Sequence, residues 1–191
     1  EASSFGNGHL QNSPMMIFAS GRADKTSPET SLIVVNPTQL GVSNGEQKAT
    51  VTVSLRDQFD NPVSGKAVNI IVSGEGNMIT QPMDTTNASG QAIGYLASRT
   101  AGVKLISARD MNSGISLRDS AAVIEFTAAG AAKLQKAPGD NGDGQRYNVG
   151  TALKEPLQVL ATDTFGNPSP NVPVTFKATT GGGSIIDPQP V

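Results

Sequence analysis

A six-residue motif occurs twice in this chain, and the distance between its copies sets the size of the structural unit. Residues 57–62 read DQFDNP and residues 163–168 read DTFGNP, 106 positions later. A fainter echo relates MIFASG to AVIEFTAAG, with Phe18 and Phe126 at an offset of 108. Because both echoes share nearly one spacing, and this spacing is the length of an ordinary β-sandwich domain, we predict a tandem repeat of such a unit.

Segments of alternating hydrophobicity flank both copies, which is the pattern of half-buried strands. The rows that the alternation places inward are Ala49, Val51, Val53 and Leu55; Val68, Ile70 and Val72; Leu157, Val159 and Ala161; and Val172, Val174 and Phe176. Between the rows, Asp60 and Gly166 suit a positive φ, and the first aspartate can bond backbone amides two residues on. Pro62 and Pro168 stop the strand ladder. We interpret each motif as a hairpin-like corner whose aspartates form turns and do not bind a metal.

Turn signals divide the chain into short strand-like segments, the pattern of a sandwich and not of a parallel sheet. The predicted strands are residues 31–36, 47–56, 67–73, 78–80, 91–98, 103–108 and 121–128. Pro37 ends the first strand, and the pattern of 103–108 fits burial of either face. We expect an all-β fold, with residues 1–27 as the last strand of a preceding domain, 28–129 as one complete domain, and 130–191 as the first part of a following one.

Several classes of function lack the residues that they need. The net charge is −2 and no basic stripe is present, so nucleic-acid binding has no electrostatic basis. No apolar run in the sequence reaches the roughly 20 residues of a membrane helix. There is no cysteine and a single histidine, His9, in a loop-like segment. Disulfides, zinc sites and histidine-dependent triads are therefore excluded.

Carboxylates are the remaining candidates for catalysis, because a glycosidase needs only a pair of them. The candidates by residue type are Asp57, Asp60, Asp84, Asp110, Asp119 and Glu125. Nearly all lie at turns, where a solvated or turn-forming role suffices. Alternation places Glu125 on the outer face of its strand. A buried carboxylate that assists a Lys–Asn crosslink would also need an inward lysine, and none is evident in the sequence. We predict no catalytic residue and no enzyme activity.

The segment PGDNGDG carries three oxygen-bearing side chains, Asp140, Asn141 and Asp143, which are weak candidates for a Ca²⁺ site. An EF-hand loop requires oxygen ligands at alternate positions and a distal glutamate. Counting from Asp140, the alternate positions are Gly142 and Gly144, which have no side-chain ligand. We therefore expect a flexible connecting loop and no bound cofactor.

The region around the first motif resembles the bacterial Ig-like group 1 domain, which occurs in intimin- and invasin-type adhesins. The matching stretches are KATVTVSLRDQFDNPVSGKAVNI and TTNASGQAIGYLASRTAGVKLISA. They contain, in order, a valine-rich strand, an aspartate, an Asn-Pro-Val corner, a Gly-Gln-Ala turn and a Thr-Ala-Gly turn. LATDTFGNPSPNVPVTFKATTGGGSI looks like the front half of a second copy. Lys104 departs from the family, in which we expect an aromatic residue at that place.

The resemblance implies tandem immunoglobulin-like β-sandwiches in a bacterial surface or secreted protein. We expect a non-catalytic structural or adhesive module that acts as a rod-like spacer, with neighbouring domains of the same chain as partners. A host or surface protein is a second candidate partner. We also expect self-association, because the partial domains would expose apolar strands at residues 15–18 and 172–176.

The alternative is a carbohydrate- or protein-binding accessory domain of a large secreted enzyme. Sugar-binding surfaces usually present aromatic platforms, and this chain has no Trp and only Tyr95 and Tyr147. A protein partner could instead add a strand at an exposed sheet edge, for which residues 78–80 are the candidate.

Overall fold

A computed structural model describes residues 25–117 and 121–186, and all regular secondary structure in these ranges is β-strand. The strands are β1 (Leu32–Asn36), β2 (Gln39–Gly41), β3 (Ala49–Ser54), β4 (Val68–Val72), β5 (Asn77–Thr80), β6 (Gln91–Ser98), β7 (Gly102–Asp110), β8 (Ala122–Thr127), β9 (Lys133–Lys136) and β10 (Val159–Thr162). Within the same ranges, no helix could cross a membrane. The all-β prediction is confirmed.

The first eight strands form two four-stranded sheets, which together we call the first sandwich (residues 32–127). One sheet has the order β1-β3-β6-β5, and all its neighbouring strands are antiparallel. The other has the order β2-β8-β7-β4, in which only the β2–β8 pair is parallel. The chain changes sheets at the cis peptide bond between Asn36 and Pro37. The sequence predicts the break at Pro37 but not β2, whose three residues are too few to show a period.

Alternate side chains of the two sheets fill one hydrophobic core. The predicted inward row of β3 is confirmed, since Ala49, Val51, Val53 and Leu55 are each 0 % exposed. The other large side chains that are fully buried include Phe126, Ile70, Leu96, Ile106, Leu117 and Ile124. The buried face of β7, which the sequence left open, is the one that carries Ile106, whereas Leu105 is 53 % exposed.

Each motif forms a corner. We call residues 57–62 the N-terminal corner and residues 163–168 the C-terminal corner. At the N-terminal corner the chain folds back locally, because the N–H of Val63 donates to the carbonyl of Leu55 at 2.9 Å. The longer strands do not continue this hairpin, since β3 lies in one sheet and β4 in the other. The hairpin-like interpretation therefore holds for the corner alone, which carries the chain from one sheet to the other.

The region around the C-terminal corner departs from its predicted strands. β9 and β10 pair antiparallel as a separate two-stranded sheet. Leu157 and Val159, predicted to point inward, are 41 % and 37 % exposed. Residues 172–176 are not a strand in the structure, although alternate side chains there are half-buried. The strand predicted before the corner is present as β10. The burial predicted for both rows is wrong, because these two apolar rows line an open groove that no sheet of the described residues covers.

Candidate functional site at the junction after the first sandwich

One buried carboxylate organises the C-terminal corner. Asp163 has no exposed surface, and its Oδ1 accepts the backbone N–H groups of Phe165 at 2.8 Å and Asn167 at 2.9 Å. Its Oδ2 accepts the Nδ2 of Asn167 at 2.8 Å and the backbone N–H of Ala129 at 3.1 Å. Because Ala129 follows the last strand of the first sandwich, the same carboxylate ties the corner to that sandwich. We call this contact between the C-terminal corner and the first sandwich the junction.

Asn167 extends this network across the junction. Its Oδ1 accepts the backbone N–H of Ala101 at 2.9 Å, and its Nδ2 donates to the carbonyl of Arg99 at 2.8 Å. Both partners lie in the turn between β6 and β7. A carboxamide offers an acceptor and a donor side by side, and at 7 % exposure little water competes for them. The side chain therefore offers the turn one acceptor and one donor, as the backbone of a neighbouring strand would.

An apolar contact accompanies these hydrogen bonds. Phe165 is half-buried against the core of the first sandwich. With Val42, Gln47 and Ala129 it lines an open groove on that sandwich. The hydroxyl of Ser169 donates to the carbonyl of Ala129 at 3.0 Å. The junction thus combines an aromatic anchor with directional hydrogen bonds, the combination that orients protein surfaces against each other.

The environment of Asp163 keeps its carboxyl charged. Burial alone would raise its pKa, but the hydrogen bonds from Asn167, Ala129 and Phe165 outweigh burial and hold the pKa below the usual 3.8. Neutral donors therefore stabilise this charge. The Asp163 carboxyl is therefore ionised at neutral pH and becomes protonated only in acid.

The N-terminal corner repeats this turn. The Oδ1 of Asp57 accepts the N–H groups of Phe59 and Asn61, each at 2.9 Å, and the Asn61 amide lies 3.3 and 3.1 Å from the two carboxylate oxygens. This amide and the backbone donors hold the pKa of Asp57 below 3.8 against the opposing effect of burial. Exposed Asp60 has a φ of 68° and Gly166 one of 90°. The predicted turn-forming role of these aspartates is confirmed.

Asp110 is a third carboxylate that holds backbone in place. It is 0 % exposed at the end of β7, and its Oδ2 accepts the hydroxyls of Thr26 at 2.6 Å and Ser113 at 2.7 Å. Its Oδ1 accepts the N–H of Asn112 at 2.9 Å. The bond to Thr26 fastens the segment that leads into β1 onto the end of β7, so Asp110 has a structural role.

The other predicted carboxylates are dispersed. Asp84 is exposed on a loop. Glu125 points outward, as predicted, and accepts the side-chain amide of Gln39 at 3.1 Å. His9 and Asp119 lie outside the described residues. Within the described ranges, no cluster of three or more His, Asp or Glu side chains could hold a metal ion.

Lys104 corrects one expectation. It lies on the inward face of β7 at 4 % exposure, and its Nζ donates to the carbonyl of Glu75 at 2.9 Å. An inward lysine is therefore present although none was evident from the sequence, because the sequence did not decide which face of β7 is buried. Glu125 faces outward on the neighbouring strand, so its carboxylate does not lie on the buried face with Lys104, where it could assist a Lys–Asn crosslink.

The candidate calcium residues lie between β9 and β10, and the oxygens of Asn141 and Asp143 are engaged locally. Asn141 donates through Nδ2 to the carbonyl of Ala137 at 2.7 Å and accepts the N–H of Asp143 at 3.2 Å. The carboxylate of Asp143 is paired with Lys136, whose hydrogen bond and charge lower its pKa. Asp140 is exposed. A divalent cation bound by Asp143 would have to displace the Lys136 ammonium.

The contacts of Asn167 are the functional feature that sequence reasoning missed. The sequence places this residue in an Asn-Pro bend, and nothing local indicates a partner 66 residues earlier. A signal was nevertheless present in the repeat. Both motifs have Phe at the third position and Asn at the fifth, and a turn held by its first aspartate does not need the phenylalanine.

Comparison with known proteins places the first sandwich in a family. Residues 31–127, just over half of the chain, match the model of the bacterial Ig-like domain (group 1). The inverse autotransporter adhesin YeeJ of Escherichia coli (strain K12) is 29 % identical over 192 residues, which is 96 % of this chain and 8 % of YeeJ. The chain therefore spans a small part of the curated relative that it matches.

Two solved adhesin structures have the same fold. FdeC of Escherichia coli gives a TM-score of 0.53 at 17 % identity, over 78 % of this chain and 45 % of the FdeC chain. Invasin, a bacterial integrin-binding protein, gives 0.53 at 17 % identity, over 78 % of this chain and 29 % of its own. At such identities the likeness shows the fold alone. With the family match over residues 31–127, the chain belongs to the bacterial Ig-like domain (group 1) family.

Proposed function

We propose that this chain is a non-catalytic spacer module of a bacterial surface or secreted adhesin, in which an Ig-like domain of residues 28–129 is joined end to end to the first part of a following one, residues 130–191. The observation that carries the proposal is the pair of hydrogen bonds from Asn167 to the turn before β7. Domains joined only by a linker are expected to move relative to each other. A spacer that holds a binding domain away from the cell needs junctions that resist such motion.

The linker itself supports the proposal, because its backbone is bonded on the side of the C-terminal corner. The N–H of Ala129 donates to Asp163, and its carbonyl accepts the hydroxyl of Ser169. Three residues later, the N–H of Ala132 donates to the carbonyl of Thr162 at 2.8 Å. A linker held at these points has few free torsions with which to act as a hinge.

The relatives support the adhesin context. The dispersed positions of the carboxylates support a non-catalytic role. A host or surface protein fits as a partner of the whole adhesin. On this chain, β5 (Asn77–Thr80) is an outer strand of its sheet, so its free edge could accept a strand from such a partner.

The proposal is tested by the relative orientation of the two units in solution. Residual dipolar couplings of N–H vectors in residues 31–127 and 159–169 should fit a single alignment tensor. In the F165A/N167A variant the two sets should need separate tensors. T164A changes an exposed residue of the same corner and should keep the single tensor. Separate tensors in the unmodified chain would contradict the proposal.

A further inference from the structure

The N-terminal corner has the same structural frame as the corner that forms the junction. In the segment leading into the first sandwich, the N–H of Ser27 donates to the carbonyl of Arg56 at 2.7 Å. In the segment leading into the C-terminal corner, the N–H of Ala132 donates to the carbonyl of Thr162 at 2.8 Å. Both corners thus receive the incoming chain on the same side, next to the same aspartate-centred turn.

The two corners differ in what covers them. Asn167 uses both atoms of its carboxamide across the junction, whereas the Oδ1 of Asn61 accepts no hydrogen bond from any residue in 25–117 or 121–186. Phe165 is half-buried against a neighbouring core, whereas Phe59 is 72 % exposed. The turn of the N-terminal corner is complete without either group. An exposed aromatic ring beside an unused amide acceptor is the composition of a binding surface.

We propose that the N-terminal corner docks a preceding Ig-like sandwich in the way that the C-terminal corner docks the first one. The preceding sandwich would present the turn before its penultimate strand. One backbone N–H of that turn would donate to the Oδ1 of Asn61, and a carbonyl two residues earlier would accept its Nδ2. The end of the preceding core would cover Phe59. This inference rests on the proposed function, since it adds one junction to the same rod.

The surface around Phe59 is held in place before any partner binds. It forms a groove with Lys25, Pro28 and Ile115. The segment on one side of the groove is fixed by Thr26, which is 2 % exposed and donates to buried Asp110. A preorganised surface loses little conformational freedom on docking, which favours a stable junction.

The inference is tested in the natural full-length polypeptide by hydroxyl-radical footprinting, with residues 1–191 alone as the reference. Phe165 and Phe59 are followed in the same molecule. In residues 1–191, Phe59 should be oxidised much faster than Phe165. In the full-length polypeptide, oxidation of Phe59 should fall to the rate of Phe165. An N61A variant should restore fast oxidation of Phe59, whereas Q58A, which changes an exposed neighbour, should not.

The outcomes separate this inference from the proposed function. If Phe59 stays fast in the full-length polypeptide while Phe165 is protected, the docking of a preceding sandwich is wrong and the spacer proposal stands. If both rings are oxidised fast, the docking inference and the spacer proposal are both wrong. If Phe59 is still protected in the N61A variant, the ring is covered by a contact that does not need Asn61, and docking through the Asn61 carboxamide is wrong.

Discussion

The carboxamide oxygen of Asn167 lies 2.9 Å from the backbone nitrogen of Ala101, and this hydrogen bond joins the C-terminal corner to the first sandwich across 66 residues of sequence. N167A removes it together with the donation to Arg99. Because each hydrogen bond contributes about 1 kcal/mol net, we expect the junction to lose about 2 kcal/mol. Amide hydrogen exchange at Ala101 should then accelerate by about 30-fold, provided that exchange there reports opening of the junction.

The control for this prediction is N61A. Asn61 has the equivalent position in the N-terminal corner and bonds only Asp57 among the described residues. N61A therefore removes the local part of the interaction and leaves the junction intact. Exchange at Ala101 should stay as it is in the unmodified chain. Equal acceleration in the two variants would mean that Asn167 acts only on its own turn.

Asp110 should make the first sandwich sensitive to acid. Burial acts to raise its pKa, but the hydrogen bonds from Thr26, Ser113 and Asn112 hold the pKa below 3.8. Since the folded-state pKa lies below the unfolded value, the stabilisation is fully present above the unfolded value and is lost as the pH falls through the folded one. Between about pH 5 and pH 2, the free energy of unfolding should therefore decrease.

D110N tests this dependence because it keeps the shape of the side chain but removes the charge. At pH 7 the variant should be less stable by about 2 kcal/mol, the scale of a hydrogen bond to a charged group. Its loss of stability in acid should be shallower than that of the unmodified chain. Urea unfolding at several pH values measures both quantities. D84N, at an exposed acid, should follow the unmodified curve, and an equally steep D110N curve would contradict the assignment.

The parts of the fold that the sequence predicts are those set by local alternation. The inward row of β3 is clear because its polar residues all face the other way. β7 is different: Val103 and Leu105 compete with Ile106, and only contact with the opposite sheet decides. Lys104 is buried because a carbonyl of Glu75 lies at the end of its side chain, which no periodicity reveals. The partners of Asn167 are non-local for the same reason.

Gly94 in β6 occupies a place where no side chain fits. A Cβ there would lie 2.5 Å from the Cδ1 of Ile70 and 2.7 Å from the carbonyl oxygen of Thr80. The Thr80 backbone belongs to the β5–β6 pairing and cannot retreat without weakening it. We expect G94A to lower the free energy of unfolding by about 1–3 kcal/mol, the usual effect of overpacking.

Thermal unfolding measures the effect of G94A. The matched control is G130A, where an added Cβ meets nothing within 4 Å. This variant should change stability by less than about 0.5 kcal/mol, as surface substitutions usually do. A G94A protein as stable as G130A would show that β5 can move away from β6 without loss.

The stem of Lys104 should matter more than its charge. Its methylenes are buried in β7, and only the ammonium reaches the carbonyl of Glu75. K104M keeps a chain of similar volume and should change the free energy of unfolding by less than about 1 kcal/mol. K104A removes buried methylenes and should cost about 2–3 kcal/mol. Chemical unfolding of both variants separates the contribution of the methylenes from that of the ammonium. Equal losses of stability in the two variants would assign the effect to the ammonium instead.

Calcium should leave the stability of this chain unchanged. Any ion that binds only the folded state raises stability, by about 2.7 kcal/mol at a concentration one hundred times its Kd. In the loop between β9 and β10, the Asp143 carboxylate is paired with Lys136, and Asn141 is bonded to backbone. We therefore expect the same melting temperature with millimolar Ca²⁺ and with a chelator. K136A releases Asp143 and is the variant in which a calcium-dependent rise is most favoured. A rise in the unmodified chain that D143N abolishes would contradict the expectation, because it would show that the ion displaces Lys136.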